Sequence, residues 1–491
     1  MQWNAAISGM LSLSLLCFAG CATSSPDESV PDPTGQESGE ATATGAEETG
    51  GDAPVAPTWH GEVKEILANH CWHCHQEGGI GPFDLTTYAE VEPMASFILS
   101  TVEDGTMPPY LAATECIDYR DAHIPLSKEQ LATLTGWVES GMPEGESEGA
   151  PLEVTDLPAL EREDLIVEIP SPHVPIPPDG SLDEQRCFVL DWPLENDTYV
   201  TGYHVLPGNK AIVHHAIAAI IPPENVASAE AADAAHEGVG YPCGQLSLFG
   251  LEGEEGGLEE DGTGLAGIFL GGIGQLFDKM QGQGLLALWA PGGGAARFPE
   301  GTGVLVRGGS RILLNTHYNL ALTGLNPEPD QTRIAFMVED EVDHPGVTMV
   351  WTNPSWLGGQ MDIPANEPAV DHAFDFPLSA VLIEGESFQM YTAAVHMHYL
   401  GVAGNMTLLR EDGTEECVID VPRWDFDWQR AYEFVEPITV NPLDSLRLSC
   451  RFDNSASNQP ILDGEKIMPQ DVNWGDNTTD EMCLGFFFMS R

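Results

Sequence analysis

Ala394-Val395-His396-Met397-His398-Tyr399-Leu400-Gly401 sets two histidines one residue apart inside an apolar run. Alternate residues of a strand project to one face, so the run reads as β with both imidazoles aimed the same way. Near the C-terminus, Thr479-Asp480-Glu481-Met482-Cys483 places a methionine after two acids and opens the apolar run Leu484 to Met489, which reads as a buried final strand. Two imidazoles and a thioether form a mixed hard and soft ligand set. It suits copper passing through Cu(I) better than zinc, calcium or magnesium. Taken singly, His396 is more commonly a core histidine and Met482 core filler.

Two further motifs lie upstream, Val213-His214-His215-Ala216 and Asn315-Thr316-His317-Tyr318. Together the four stretches resemble the copper type II, ascorbate-dependent monooxygenases, the family of the peptidylglycine α-hydroxylating and dopamine β-monooxygenases. Five histidines and one methionine match in order between Arg186 and Arg491. The resemblance implies two copper ions, one held by His214, His215 and His317 and one by His396, His398 and Met482, with the second set catalytic. It also implies a disulfide between Cys483 and Cys450, and it leaves Cys187 and Cys243 as a candidate pair, with Cys116 and Cys417 unassigned. Adjacent residues of a regular strand face opposite ways, so His214 and His215 share a metal only if the strand is bulged or ending there, or if the two rings use different nitrogens. Two departures stand out. Ala394 replaces the arginine that binds a peptide carboxylate in hormone-processing members, which argues against a glycine-extended peptide as substrate. Asn315 replaces a glutamine before the third histidine, which alters the hydrogen bonding expected there.

Short β-like runs bounded by Pro, Gly and Asn surround these motifs, among them Tyr199 to Leu206, Ala211 to Ile221, Ile312 to Tyr318, Phe388 to Leu400 and Ser445 to Phe452. Ser247 to Gly284, rich in Gly and Glu, is a loop long enough to be functional or disordered, with a short helix expected at Leu265 to Phe277.

Before the β-like region the pattern is helical. Val63, Ile66 and Leu67 share a face and lead into Cys71-Trp72-His73-Cys74-His75. C-x-x-C-H puts two thiols one helical turn apart, where they can add to the vinyl groups of haem with His75 as axial ligand. A zinc site would need a second ligand pair, and none follows. Asp104-Gly105-Thr106-Met107-Pro108-Pro109 offers Met107 as the distal ligand, with Met94 and His123 as rivals. The layout resembles a small class I cytochrome c, closed by the amphipathic stretch Leu126 to Gly141.

The 491-residue chain carries 77 acidic and 18 basic side chains, a formal charge of −59. Such a charge repels nucleic acid and anionic membrane surfaces and argues against both as partners. Ile7 to Phe18 is apolar but too short to span a bilayer, and Phe18-Ala19-Gly20-Cys21 resembles a bacterial lipobox with Cys21 as lipid anchor. An ordinary cleaved secretory peptide is the competing reading, and both export the protein.

The expected fold is multidomain: a small all-α cytochrome c-like domain followed by two all-β, jelly-roll-like antiparallel sandwich domains. The expected boundaries are a lipoprotein-type signal peptide at 1–20, a disordered acidic linker at 21–57, a haem domain at 58–142, a linker at 143–168, and copper domains at 169–340 and 341–491. The expected function is an extracytoplasmic, outer-membrane- or periplasm-associated copper monooxygenase. It would hydroxylate a small organic substrate with O2, taking electrons from an external donor through haem c. The competing function is a haem and copper electron-transfer or copper-binding protein that oxygenates nothing.

Overall fold

Leu484–Ser490 lies between two antiparallel partners, His344–Trp351 and Phe388–His396. Nearly every side chain of this last strand is buried, as its unbroken apolar sequence requires. The computed structural model describes residues 56–491 apart from 77–80, 82, 121–123, 148–151, 153–158, 179–181, 244–279, 290–293, 321–322, 325–326, 381, 383–384, 427, 463–464 and 476–478. The expected signal peptide, Cys21, His123 and most of the Ser247 to Gly284 loop therefore lie outside the described residues.

Among the described residues, strands form one 14-stranded sheet, a four-stranded sheet and a two-stranded sheet. The large sheet draws on both expected sandwiches. Thr302–Val306 pairs in parallel with His344–Trp351, which also meets Gly284–Trp289 through Thr348 and Leu285. The four-stranded sheet orders Val370–Pro377, Ser445–Phe452, Gly401–Leu409 and Glu415–Val421.

This architecture overturns the expected fold class. The protein is mostly β, and its helices are short, the longest described one being the 12 residues Lys128–Glu139. Helices Lys64–His70, Ala95–Glu103 and Lys128–Glu139 do share a small core around Trp59, Trp72, Leu134 and Trp137. They do not close into an all-α cytochrome c-like domain. The chain between Ala95–Glu103 and Lys128–Glu139 leaves that core and joins the C-terminal sheet, where Tyr119 bridges Phe434 and Cys116 bonds Cys417. Helical spacing in the sequence reports which face is apolar and not what covers it, so this departure was invisible to it.

Bulges aim the strands that matter. In Phe388–His396 the register shifts between Met390 and Thr392. Phe388 and Met390 are buried before the bulge, and Ala393 and Val395 after it, so the extra residue swaps faces and turns His396 away from the aliphatic core. Val213–Ile221 shifts between Val213 and His215 in the same way.

Three disulfides tie the described chain: Cys187–Cys243, Cys450–Cys483 and Cys116–Cys417. The third joins the two cysteines left unassigned by sequence, across 301 residues. On the chain-entropy view, a loop of that size contributes up to about 5 kcal/mol by restricting the unfolded chain.

Gly346 marks the tightest joint between strands. A Cβ there would overlap Phe488 Cζ and lie 2.7 Å from its Cε2. Phe488 cannot easily yield, because it is buried and packs at a tilt against Phe298, 4.8 Å between ring centroids. Gly346→Ala is expected to lower the unfolding free energy by about 1–3 kcal/mol. Guanidinium denaturation checks this, and an unchanged midpoint would show that Phe488 swings aside at little cost.

Candidate metal centres

His214 and His215 open strand Val213–Ile221, and His317 lies in the neighbouring strand Arg311–Asn319, with His215 directly opposite His317. The bulge at His214 lets adjacent residues face one point, the first of the options that their adjacency allowed. One nitrogen from each ring falls within 4.8 Å of the others. His215 Nδ1 lies 3.3 Å from Nδ1 of both His214 and His317. Lone pairs that close repel unless a proton or a cation lies between them. Nitrogens bound tetrahedrally to one ion at about 2.0 Å stand roughly 3.3 Å apart, so the spacing fits a metal.

Asp183 fixes the third ring. His317 Nε2–H donates to Asp183 Oδ1 at 2.9 Å, which leaves Nδ1 as the ligating atom, and Asn319 Nδ2 donates to the same oxygen at 2.8 Å. The bond to His317 holds the Asp183 carboxyl below its usual range. Burial, followed by the neighbouring His317, His214 and His396, pushes His215 well below the ordinary histidine range. Burial, and then His317, lowers His214 too. Neutral rings are what metal ligation requires.

At the H-x-H motif the tautomers are set the other way round. His396 Nδ1–H donates to Gln429 Oε1 at 2.6 Å, and His398 Nδ1–H donates to the Asp480 carbonyl at 3.0 Å. Both rings therefore carry the lone pair on Nε2, and their centroids lie 5.1 Å apart. His396 Nε2 is buried and has no hydrogen-bond partner among the described residues. An orphaned buried acceptor costs stability unless something occupies it, and with a second imidazole beside it the donor set fits copper. Burial, then His398, brings the His396 pKa down to about 3, so the ring is neutral at any ordinary pH.

Met482 is buried in a small core shared with Val350, Leu484, Leu285 and Ile221. Leu484 pairs with His396, so the antiparallel register, continued past the strand ends, runs towards His398 opposite Met482. Between them sits Glu481, fully buried, whose carboxylate accepts from the backbone N–H of His398 at 2.8 Å, Leu400 at 2.6 Å and Met482 at 3.2 Å. Burial raises its pKa to about 8 against the pull of those N–H bonds. Glu481, Gln429 and Asp183 were not picked out from the sequence. Only Glu481 left a signal there, as an acid set directly before an apolar strand.

Asn315 does not reach the histidines. It turns towards the Cys187–Cys243 bridge, donating to Cys243 Sγ at 3.1 Å. At the N-terminal motif, Cys71 and Cys74 are the free cysteines among the described residues. Burial, then Cys74, pushes the Cys71 thiol up to about 12, and burial raises Cys74. His75 Nδ1–H donates to the Phe83 carbonyl at 3.0 Å. Met94 packs against the small helical core, whereas Met107 is not among the described side chains packed there. Met107 instead follows helix Ala95–Glu103, its N–H bonded to the Thr101 carbonyl at 3.0 Å.

Residues 356–489 match the sequence model of the copper type II ascorbate-dependent monooxygenase C-terminal domain. That interval holds His396, His398, Met482 and the Cys450–Cys483 bridge, and it supports a copper-dependent monooxygenase at the level of enzyme class. No curated protein matches the chain. Among solved structures, a chain of the T13 IBDV viral particle is 11% identical, covering 68% of this chain and 72% of its own, at a TM-score of 0.14 that carries no argument about fold or function.

Above pH 8, where Glu481 is ionised, Glu481→Gln is expected to destabilise the protein by roughly 1–3 kcal/mol, because one carboxylate oxygen becomes an NH2 group facing backbone N–H donors. Denaturation with and without the substitution measures this directly. An unchanged stability would mean that those amides find other acceptors.

Proposed function

We propose that this chain is an exported copper monooxygenase that hydroxylates an organic substrate with O2, using one copper at His214, His215 and His317 and a second at His396, His398 and Met482. The observation that carries the reading is the buried, partnerless Nε2 of His396 beside His398, inside the segment matched to the monooxygenase domain. Bound copper would supply the one-electron redox chemistry and the activation of O2. The chain's own contribution is geometric. Gln429 and the Asp480 carbonyl fix the tautomers of the second pair, Asp183 fixes that of His317, and Glu481 anchors the backbone on both sides of the site. Acyl transfer and phosphoryl transfer have no matching constellation in the sequence.

The reading extends to the N-terminus. Haem c attached at Cys71 and Cys74, with His75 as axial ligand, would pass electrons from an external donor, ascorbate being the family's own. Two features favour it: both thiols are unbridged in a chain whose other described cysteines are paired, and the His75 Nδ1 bond to Phe83 leaves Nε2 for a metal. A lipid anchor at Cys21 and an extracytoplasmic location belong to the same proposal.

Analysis of the purified mature protein is expected to find two coppers and one haem. O2 uptake should require both reductant and organic substrate. Copper bound without such uptake would instead favour the non-oxygenating electron carrier. Met482→Ala is expected to cut oxygenation at least about tenfold while the His214 site keeps its copper, and His214→Ala to lose one copper. Full activity in Met482→Ala would make Met482 core filler and sink the assignment. A Met107→Ala variant with an unaltered haem spectrum would remove Met107 from the ligand set.

A further inference from the structure

The connection between strands Glu415–Val421 and Tyr432–Val440 supplies two groups to the H-x-H pair. Gln429 accepts from His396 Nδ1, and Trp424 Nε1–H donates to the His398 carbonyl at 3.1 Å, its ring edge-on to His396 at 6.4 Å between centroids. Part of its path is held locally: the Trp424 N–H donates to the Val402 carbonyl at 2.9 Å, and Gln429 Nε2 donates to the Phe426 carbonyl at 2.9 Å.

Residues 104–120 hold the rest of it, at both ends. Arg423 donates to the Asp104 carbonyl at 2.7 Å and to that of Gly105. The Ala113 N–H reaches the Asp420 carbonyl at 2.8 Å, and the Leu111 N–H reaches Tyr432 Oη at 3.1 Å. Arg430 lies over the rings of Tyr110 and Tyr432, at 5.6 and 5.3 Å from their centroids. Beyond these, Arg120 N–H to the Glu433 carbonyl at 2.9 Å and Val435 N–H to the Asp118 carbonyl at 2.8 Å add a short extra strand edge, and Cys116–Cys417 locks the segment covalently. Leu111, Val395, Trp424 and Trp428 line one recess. Leu111 and Tyr119 belong to the same apolar core as Val395, Met397 and Trp424.

We propose that Asp104–Arg120 is a strap that completes the His396/His398 site, and that Trp424 is the positioning residue through which it acts. The strap holds the connection from both ends and from above. The connection in turn orients the His396 imidazole and the His398 carbonyl. The metal arm of this inference rests on the copper reading above, and the metal-free arm does not.

Two variants of the full-length protein test it, Cys116→Ser/Cys417→Ser, which frees the strap, and Trp424→Phe, which keeps an aromatic ring but removes the donor to His398. In metal-free protein, amide hydrogen exchange at His398 and Leu400 is expected to quicken about tenfold or more in both, while strand Arg311–Asn319 keeps its protection. Titration with Cu(II), followed by electron paramagnetic resonance, should show the H-x-H site weakened roughly 10- to 100-fold and the three-histidine site within about twofold of wild type. Unchanged exchange at His398 and Leu400 in both variants overturns the strap. So does loss of both copper sites together in Trp424→Phe, which would mark a general structural role. Should the double serine variant not fold, Trp424→Phe decides alone. Should the wild type bind no copper at the H-x-H site while exchange still responds, the strap stands and the copper reading falls.

Discussion

The protein depends on one strand pairing, that of Phe388–His396 with Leu484–Ser490 in the register that sets His396 against Leu484. A slip of one residue would turn every side chain to the opposite face, sending Val395 to the site and His396 to the core. Three features pin the register besides the ladder's own hydrogen bonds. The bulge after Met390 sets the parity, Glu481 clamps the amides of His398 and Leu400, and Cys450–Cys483 ties the strand's entrance to the four-stranded sheet. Glu481 and the disulfide act at the end of the ladder where the imidazoles lie and the bulge near the opposite end, because backbone hydrogen bonding alone does not distinguish one register from the next.

The two histidine clusters solve the same problem with opposite nitrogens. Near His317 an acid takes the Nε2 proton, and near His396 and His398 an amide oxygen and a carbonyl take the Nδ1 protons. In each case the outer partner decides which lone pair faces inward, so the residues around the ligands carry as much of the site's definition as the ligands.

The strand that leads into His396 and the burial of the last strand were legible because each follows from side-chain patterning over a few residues, whereas the strand stops at His396, short of the expected Leu400, and the bulge at His214 was one of several arrangements that adjacency left open. The two ligand sets came from the family resemblance, and the structure brings His214, His215 and His317 together and sets His396 beside His398. Other features were not legible. Asp183, Gln429 and Glu481 act across gaps of 134, 33 and 83 residues, and nothing local marks an acceptor for a distant ring. The all-α domain failed on a related ground. The spacing of Val63, Ile66 and Leu67 correctly gave a helix, but the segment after Glu103 carries apolar residues such as Leu111 and Tyr119 whose partners lie over 300 residues away. The continuous sheet was equally hidden, since the pairing of Thr302–Val306 with His344–Trp351 is a matter of topology rather than of either sequence.

The bridge from Cys116 to Cys417 spans most of the chain, so the strap's final partner is made long after the strap itself during synthesis. The apolar faces of Leu111 and Tyr119 have no covering until the strands that bear Asp420 and Phe434 exist. The helical core around Trp72 can gather early from local contacts, whereas the strap must wait for a loop of some 300 residues to close, at a cost in entropy that grows only with the logarithm of loop length. The segment around Leu111 and Tyr119 is thus completed only by strands that lie some 300 residues further along the chain, and until they are present its apolar face stays open.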